Sequence, residues 1–185
     1  MKRRGGTWTQ RWRVPLGFIC AIIFLVFAQP SPRILIIGAL VALIGLALRA
    51  WASGHIRKNS QLATTGPYAY TRNPLYLGSF LIGLGFSIAS GRWVLGLIFA
   101  ALFLGIYFPV MRVESADLAG LFGEDYERYS RAVPLFFPKL WPYRNERSGE
   151  ESFDPSLYLR YREYRATLGF VAAWALLALR AMLIK

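Results

Sequence analysis

Residues 1–113 contain no aspartate or glutamate, although they carry four long apolar runs; all ten acids lie between Glu114 and Glu163. Acid-free apolar runs of this kind suit a bilayer, because an ionised carboxylate is costly in hydrocarbon and a helix pairs its own backbone groups there. Composition agrees, with 55% of the 185 residues hydrophobic and 16% aromatic, well above a soluble mix. The fold class predicted is all-α: a polytopic integral membrane protein with about five transmembrane helices. The formal net charge of +12 comes from basic residues that flank the apolar runs, which is the pattern of membrane spans and not of a nucleic-acid surface. Membrane lipids are therefore the expected partners, and nucleic acid is not. With one cysteine, Cys20, and one histidine, His55, no disulfide framework and no conventional His- or Cys-rich metal site is expected.

In chain order, a basic leader with five Lys and Arg before Val14 precedes an apolar run from Leu16 to Ala28. Basic n-region, short apolar run and small residues also fit a signal peptide. The second span runs from Ile34 to about Ala52, with Arg49 near enough to its end to snorkel. A polar loop with Arg57, Lys58 and Arg72 follows, and its charge predicts that this loop and the N-terminus are cytoplasmic. The third span, Pro74 to Ser90, has 17 residues; at about 1.5 Å each it reaches roughly 26 Å, short of a core of about 30 Å. Ser79, Gly83, Ser87 and Gly91 recur every fourth residue and suggest a face for close helix approach. Gly91 and Arg92 turn into a fourth span, Trp93 to Met111, which Pro109 is expected to kink. An interfacial helix then stops near Gly123, and Tyr126 and Tyr129 share a face of a second short helix that Val133 and Pro134 end. Phe136, Phe137, Trp141 and Tyr143 read as an interfacial aromatic belt. After a polar linker, Asp154 as N-cap and Pro155 at the first helical position open a helix that runs through Arg165 into a fifth span, Leu168 to Ile184.

One stretch carries chemistry. In GPYAYTRNPLYLG, residues 66–78, Gly66 and Pro67 make a turn, while Asn73 and Pro74 open a helix as cap and first residue. Free N–H groups and the positive end of the helix dipole favour an anion there, and Arg72 adds a guanidinium that can grip a carboxylate. Equally, Tyr68, Tyr70, Arg72 and Tyr76 suit interfacial anchoring of a membrane helix.

This stretch, Glu114, and GEDYERYSRAVP at residues 123–134 together resemble the paired signatures of the isoprenylcysteine carboxyl methyltransferase family and the wider group of membrane phospholipid-type methyltransferases. The resemblance covers about residues 50–140 of a single membrane-embedded domain, 1–185, leaving a C-terminal linker and fifth span over 144–185. It implies an integral membrane enzyme that takes S-adenosylmethionine from the cytosol and a lipophilic or small amphiphilic acceptor from the bilayer. The family's arginine-histidine-proline motif falls on Arg72, Asn73 and Pro74, followed by its tyrosine and glycine at Tyr76 and Gly78. Its acidic pair falls on Glu114 and Ser115, so the histidine and the second acid are both replaced here. Arg72 and Glu114 are the implied catalytic pair. The cofactor set comprises His55, Gly66, Tyr68, Arg72, Asn73, Pro74, Tyr76, Gly78, Glu114, Tyr126 and Tyr129. Arg72 and the helix end suit the cofactor's carboxylate, Glu114 its ammonium, and the π faces of the tyrosines its sulfonium.

Two other readings stay open on the residues. A membrane NADPH-dependent reductase of the sterol or enone type shares the arginine-x-proline pattern, and Arg57 and Lys58 would suit its extra phosphate. A non-catalytic lipid-binding scaffold would tolerate the changes at Asn73 and Ser115. The five-span count makes a topological prediction: Asn59 and Ser148 lie on the cytoplasmic side and Lys185 on the other. Cysteine labelling at these positions in a Cys20-free background checks it, and labelling of positions 59 and 148 from opposite sides would refute it.

Overall fold

The computed structural model describes residues 8–56, 61–144 and 153–183, and all regular structure among them is helical. Arg57, Lys58, Asn59 and Ser148, with most of the polar linker, lie outside the described residues. Among the described residues, three helical rods are long and apolar enough to cross a membrane: α2 (Pro32–Ser53), the continuous Trp93–Phe122 rod, and α8 (Tyr164–Leu183). Two shorter apolar helices complete the bundle, the Pro15–Phe27 part of α1 (Trp8–Phe27) and α3 (Pro74–Ala89). The outer face of α2 exposes Ile36, Leu40 and Ile44, a row that only lipid can cover favourably. The protein is an all-α integral membrane protein.

The closest helix pair is α2 with α3, and glycine is the reason. A Cβ on Gly45 would lie 2.6 Å from the carbonyl oxygen of Gly78, and one on Gly78 would lie 2.7 Å from that of Gly45. Gly38 and Gly85 repeat the relation one step along, beside Ala42 and Ala89. Backbones therefore touch where side chains would hold them apart. The expected contact row was different, and its members go to different neighbours. Gly83 faces the ring of Phe99, Ser79 receives Arg49, Ser87 bonds back to the carbonyl of Gly83, and Gly91 turns with φ +65° against Gln29. A helix with 3.6 residues per turn carries a strict four-residue repeat slowly around its surface, so such a row does not stay on one partner.

The fourth span also departs from expectation. Its helix does not end at Met111 but continues from α4 (Trp93–Leu102) through a π-helical segment, Phe103–Tyr107, into α5 (Phe108–Phe122). Pro109 has no N–H for the carbonyl one turn back and would crowd it, and the wider π-helical turn lies just upstream of it. Gly123, at φ +52°, stops α5 where expected, and α6 (Glu124–Ala132) buries Tyr126 and Tyr129.

At the far end of the bundle, Gln29 N–H donates to Ser90 O at 2.7 Å, and Arg180 donates to the carbonyls of Ala28 and Val26 at 2.7 and 2.6 Å. Phe24, Ala28, Ala89, Leu95 and Leu177 form the core beside them. Toward the C-terminus, Asp154 accepts from Ser156 N–H and caps α7 (Pro155–Arg160) as expected. The helix does not run on, however: residues 161–163 turn before α8 begins.

Gly85→Leu should separate α2 from α3 and destabilise the protein by roughly 1–3 kcal/mol or more, as overpacking does. Gly17→Leu, where a Cβ meets nothing within 4 Å, should be tolerated. Thermal unfolding in detergent compares the two.

Candidate functional site

Segment 66–73, a 3₁₀ turn over Gly66–Ala69 followed by irregular chain, lies at the end of a membrane bundle, so the polar groups it does not pair locally need partners. They find them in the stretch after α6. Arg72 N–H donates to Pro134 O at 3.0 Å, Lys139 N–H to Tyr70 O at 3.0 Å, and Tyr143 N–H to Ala69 O at 2.9 Å. Thr71 Oγ1 donates to Phe136 O at 2.8 Å, and the buried Tyr129 hydroxyl donates to Tyr68 O at 2.7 Å. Asn73 sits at the N-cap position without capping: its side-chain amide donates to Leu135 O at 3.0 Å. That carbonyl lies in irregular chain with no helical donor of its own, and the Asn73 amide supplies one. The expected aromatic belt divides accordingly. Phe137 and Trp141 are exposed, whereas Phe136 packs on Phe80 and Phe103 and Tyr143 packs on Tyr129.

These bonds bring the two sequence signatures together around a cavity of about 120 Å³. Tyr68, Arg72, Asn73, Tyr126 and Tyr129 line it, all of them candidates from the sequence. Arg72 Nη1 donates to Tyr126 Oη at 3.1 Å and Ser115 Oγ at 3.2 Å, and the guanidinium carbon lies 5.9 Å from the Tyr126 ring centroid. Both acceptors are neutral hydroxyls. Arg72 Nε is buried and has no hydrogen-bond partner among the described residues. Burial holds the phenols of Tyr68 and Tyr129 protonated well above the ordinary tyrosine range, and the Glu163 and Glu114 charges add to the effect at Tyr68. Both therefore remain neutral hydrogen-bond donors.

The remaining candidates lie around this cavity and not in its wall. Glu114 accepts from the Tyr76 hydroxyl at 2.8 Å and pairs with neither Arg112, which lies over Phe108, nor Arg128, which pairs with Asp125. Tyr76 in turn meets the Tyr107 ring edge-on. Pro74 is buried beneath the helix start, and Gly78 packs against the stem of Arg49. His55 Nδ1 donates to Trp51 O at 3.0 Å, and its ring meets those of Trp51 and Phe153. It fills the space a Cβ on Gly66 would need, and Gly66 itself requires φ +55°. Sequence reasoning missed Leu62, Leu118 and Phe122 as lining residues, and Ser115, read there only as the place of a replaced acid, lines the cavity as well. The spacing of Ser115, Leu118 and Phe122 puts them on one helical face, so that signal was available.

A second cavity is different in kind: about 240 Å³, apolar, and lying between α1, α3, α4 and α8. Phe103 and Tyr107 form one end of it, and Tyr107 is the ring that meets Tyr76.

A helical membrane bundle with a small arginine-bearing polar cavity at one end and an apolar cavity within is the class defined by the fold and site. A model of the phospholipid methyltransferase family matches residues 34–125, just under half of the chain, and over that stretch the chain is similar to this family. It is 34% identical over 142 residues to the cobalt-zinc-cadmium resistance protein CzcN of Cupriavidus metallidurans, covering 73% of this chain and 65% of that protein. It is 29% identical over 129 residues to the protein-S-isoprenylcysteine O-methyltransferase of Schizosaccharomyces pombe, covering 67% and 55%. A methanethiol S-methyltransferase of Crocosphaera subtropica is 37% identical over 71 residues, covering 38% and 27%. The chain thus spans just under two thirds of the length of the metal-resistance relative and less of the other two. No solved structure matches.

Tyr129→Phe leaves Tyr68 O without its donor and should cost about 1–3 kcal/mol. The folded state keeps the Tyr129 proton that an unfolded chain loses near pH 10. The wild-type advantage should therefore hold constant below about pH 10 and shrink above it, as folded-state stability is lost toward the raised pKa. Unfolding midpoints across pH in detergent test both expectations.

Proposed function

We propose that this chain is a membrane methyltransferase that binds S-adenosylmethionine at the Arg72 cavity, on the cytoplasmic side, and methylates a lipophilic or small amphiphilic acceptor. The observation that carries the reading is Arg72: a guanidinium facing only neutral hydroxyls, with a buried Nε lacking a partner among the described residues. A half-buried guanidinium of this kind calls for an anion, and a carboxylate matches its forked donors. The cavity of about 120 Å³ is smaller than an apolar cavity of about 150 Å³ that takes benzene, so it suits the amino-acid end of the cofactor. Leu62, Leu118 and Phe122 are the apolar neighbours for the rest.

The cofactor supplies an electrophilic methyl group on a sulfonium. Arg72 would hold its carboxylate. Glu114, oriented by Tyr76 beside the polar cavity, would face its ammonium. Tyr126 and Tyr68 would offer π faces and neutral hydroxyls to the positive region. An anionic acceptor such as a thiolate or carboxylate needs no general base, and these residues would act by alignment and exclusion of water. The acceptor's apolar part suits the cavity of about 240 Å³, whose Tyr107 end adjoins Tyr76 and Glu114. The isoprenylcysteine and methanethiol methyltransferase relatives support carboxyl and thiol acceptors.

Calorimetry on protein in nanodiscs should show micromolar binding of S-adenosylmethionine or S-adenosylhomocysteine. Arg72→Ala should weaken it by about 1.5–3 kcal/mol, the worth of a hydrogen bond to a charged group. Binding of NADPH with no response to either methyl-cycle ligand would overturn the reading. In turnover assays over acceptors with one head group and lengthening tails, apparent affinity should rise by about 0.8 kcal/mol per CH₂ until the cavity is full. Equal performance by short water-soluble acceptors would remove the tail site.

A further inference from the structure

Glu163 lies beyond the stretch matched by the family model, yet it forms the most enclosed of the three ion pairs among the described residues. Arg49 Nη2 and Nε donate to Glu163 Oε2 at 2.7 and 3.1 Å, with side chains 21% and 13% exposed. The other two pairs are local and exposed on α6. Arg49 was expected to snorkel to headgroups, but a carboxylate within reach, 114 residues along the chain, competes better than water or lipid. The same guanidinium also grips α3: Nη1 donates to Ser79 Oγ at 2.6 Å and to Leu75 O at 3.3 Å, while its stem lies on Gly78. These first two turns of α3 begin at Pro74 and follow directly on Arg72 and Asn73.

The arm that delivers Glu163 is docked at both ends. Asp154 N–H donates to Gly54 O at 3.0 Å, and the Phe153 ring covers Gly54 and meets His55. After α7, Arg162 adopts φ +57°, a left-handed conformation that disfavours any residue with a Cβ. Arg162 N–H donates to Leu159 O and Glu163 N–H to Tyr158 O, a helix ending that usually takes glycine at this position. The turn brings Glu163 to Arg49. The charge of Glu163 also reaches Tyr68 in the cavity wall.

We propose that Arg49 and Glu163 are positioning residues for the Arg72 cavity. Through Arg49, the C-terminal arm holds the first turn of α3, and with it Arg72 and Tyr76, in register with Ser115 and Glu114 on α5. Cofactor affinity then depends on a carboxylate outside the cavity wall. This rests on the methyltransferase reading for the ligand and on the geometry alone for the clasp. Without Glu163, a half-buried guanidinium loses its counter-charge, and the arrangement built around it relaxes.

The test uses the full chain in nanodiscs, with S-adenosylhomocysteine as probe and amide hydrogen exchange without ligand. Glu163→Gln should speed exchange at residues 72–79, leave α4 unchanged, and weaken probe binding by about tenfold. The double variant Arg49→Glu with Glu163→Arg should recover part of both, and Arg162→Gly, which suits the turn, should behave as wild type. If Glu163→Gln does not fold, Glu163→Asp, with the charge kept and the reach shortened, is read the same way. Unchanged exchange and affinity in a folded Glu163 variant would overturn the proposal, as would a uniform rise in exchange throughout the bundle, which marks general destabilisation. Failure of the wild type to bind the probe would remove the methyltransferase reading instead, and the local exchange difference would then decide the clasp by itself.

Discussion

Irregular backbone near a bilayer must find hydrogen-bond partners within the protein, and the rest of the site depends on how segment 66–73 does so. Tyr68, Tyr70 and Thr71 N–H bond locally, whereas the Arg72 amide and the Ala69 and Tyr70 carbonyls pair with residues 134–143, a stretch without helical partners of its own. Each irregular segment thus satisfies the other. The tertiary consequence is that Arg72 on one segment and α6, just before the other, meet in the wall of one small cavity. Tyr129 reinforces the join with a buried bond to Tyr68.

Helix contact sets the floor beneath this site. Because Gly38, Gly45, Gly78 and Gly85 let α2 and α3 meet backbone to backbone, Arg49 near the end of α2 lies against the first turn of α3 and not out at the headgroups. The short α3 then brings its N-terminal turn, with Arg72 just before it, close to α5. Packing of small residues in the membrane is in this way linked to the geometry of a polar site one or two turns away.

Three arginines of the bundle show how a cation is accommodated according to its partners. Arg180 is satisfied by the last carbonyls of α1, where cations suit the negative end of the helix dipole. Arg49 has a carboxylate. Arg72 has two hydroxyls and a buried nitrogen without a partner among the described residues. The first two complete the structure, and the third is where the proposed ligand's carboxylate would add a partner. The replacement of a second acid by Ser115 matters here, since a carboxylate at that position would stand where the hydroxyl now meets Arg72.

Local rules in the sequence were enough for the membrane class, the positions of most helices, and several helix ends. Pro74 at a helix start, Gly123 at a stop and Asp154 as a cap are decided by neighbours within a few residues, and the structure agrees with each. The grouping of Tyr68, Arg72, Tyr126 and Tyr129 was also legible, through the two signatures read together. Other features depended on partners far along the chain. Asn73 looks like a cap until Leu135 O stands beside it. Arg49 looks like an interfacial anchor until Glu163 arrives from residues with no local pattern to announce it. The sequence by itself determined which segments are helical and lipid-facing, because periodicity, hydropathy and capping are properties of neighbouring residues. Only the tertiary structure decided which polar groups meet, since a hydrogen bond or ion pair depends on ångström-scale placement of groups brought together by packing.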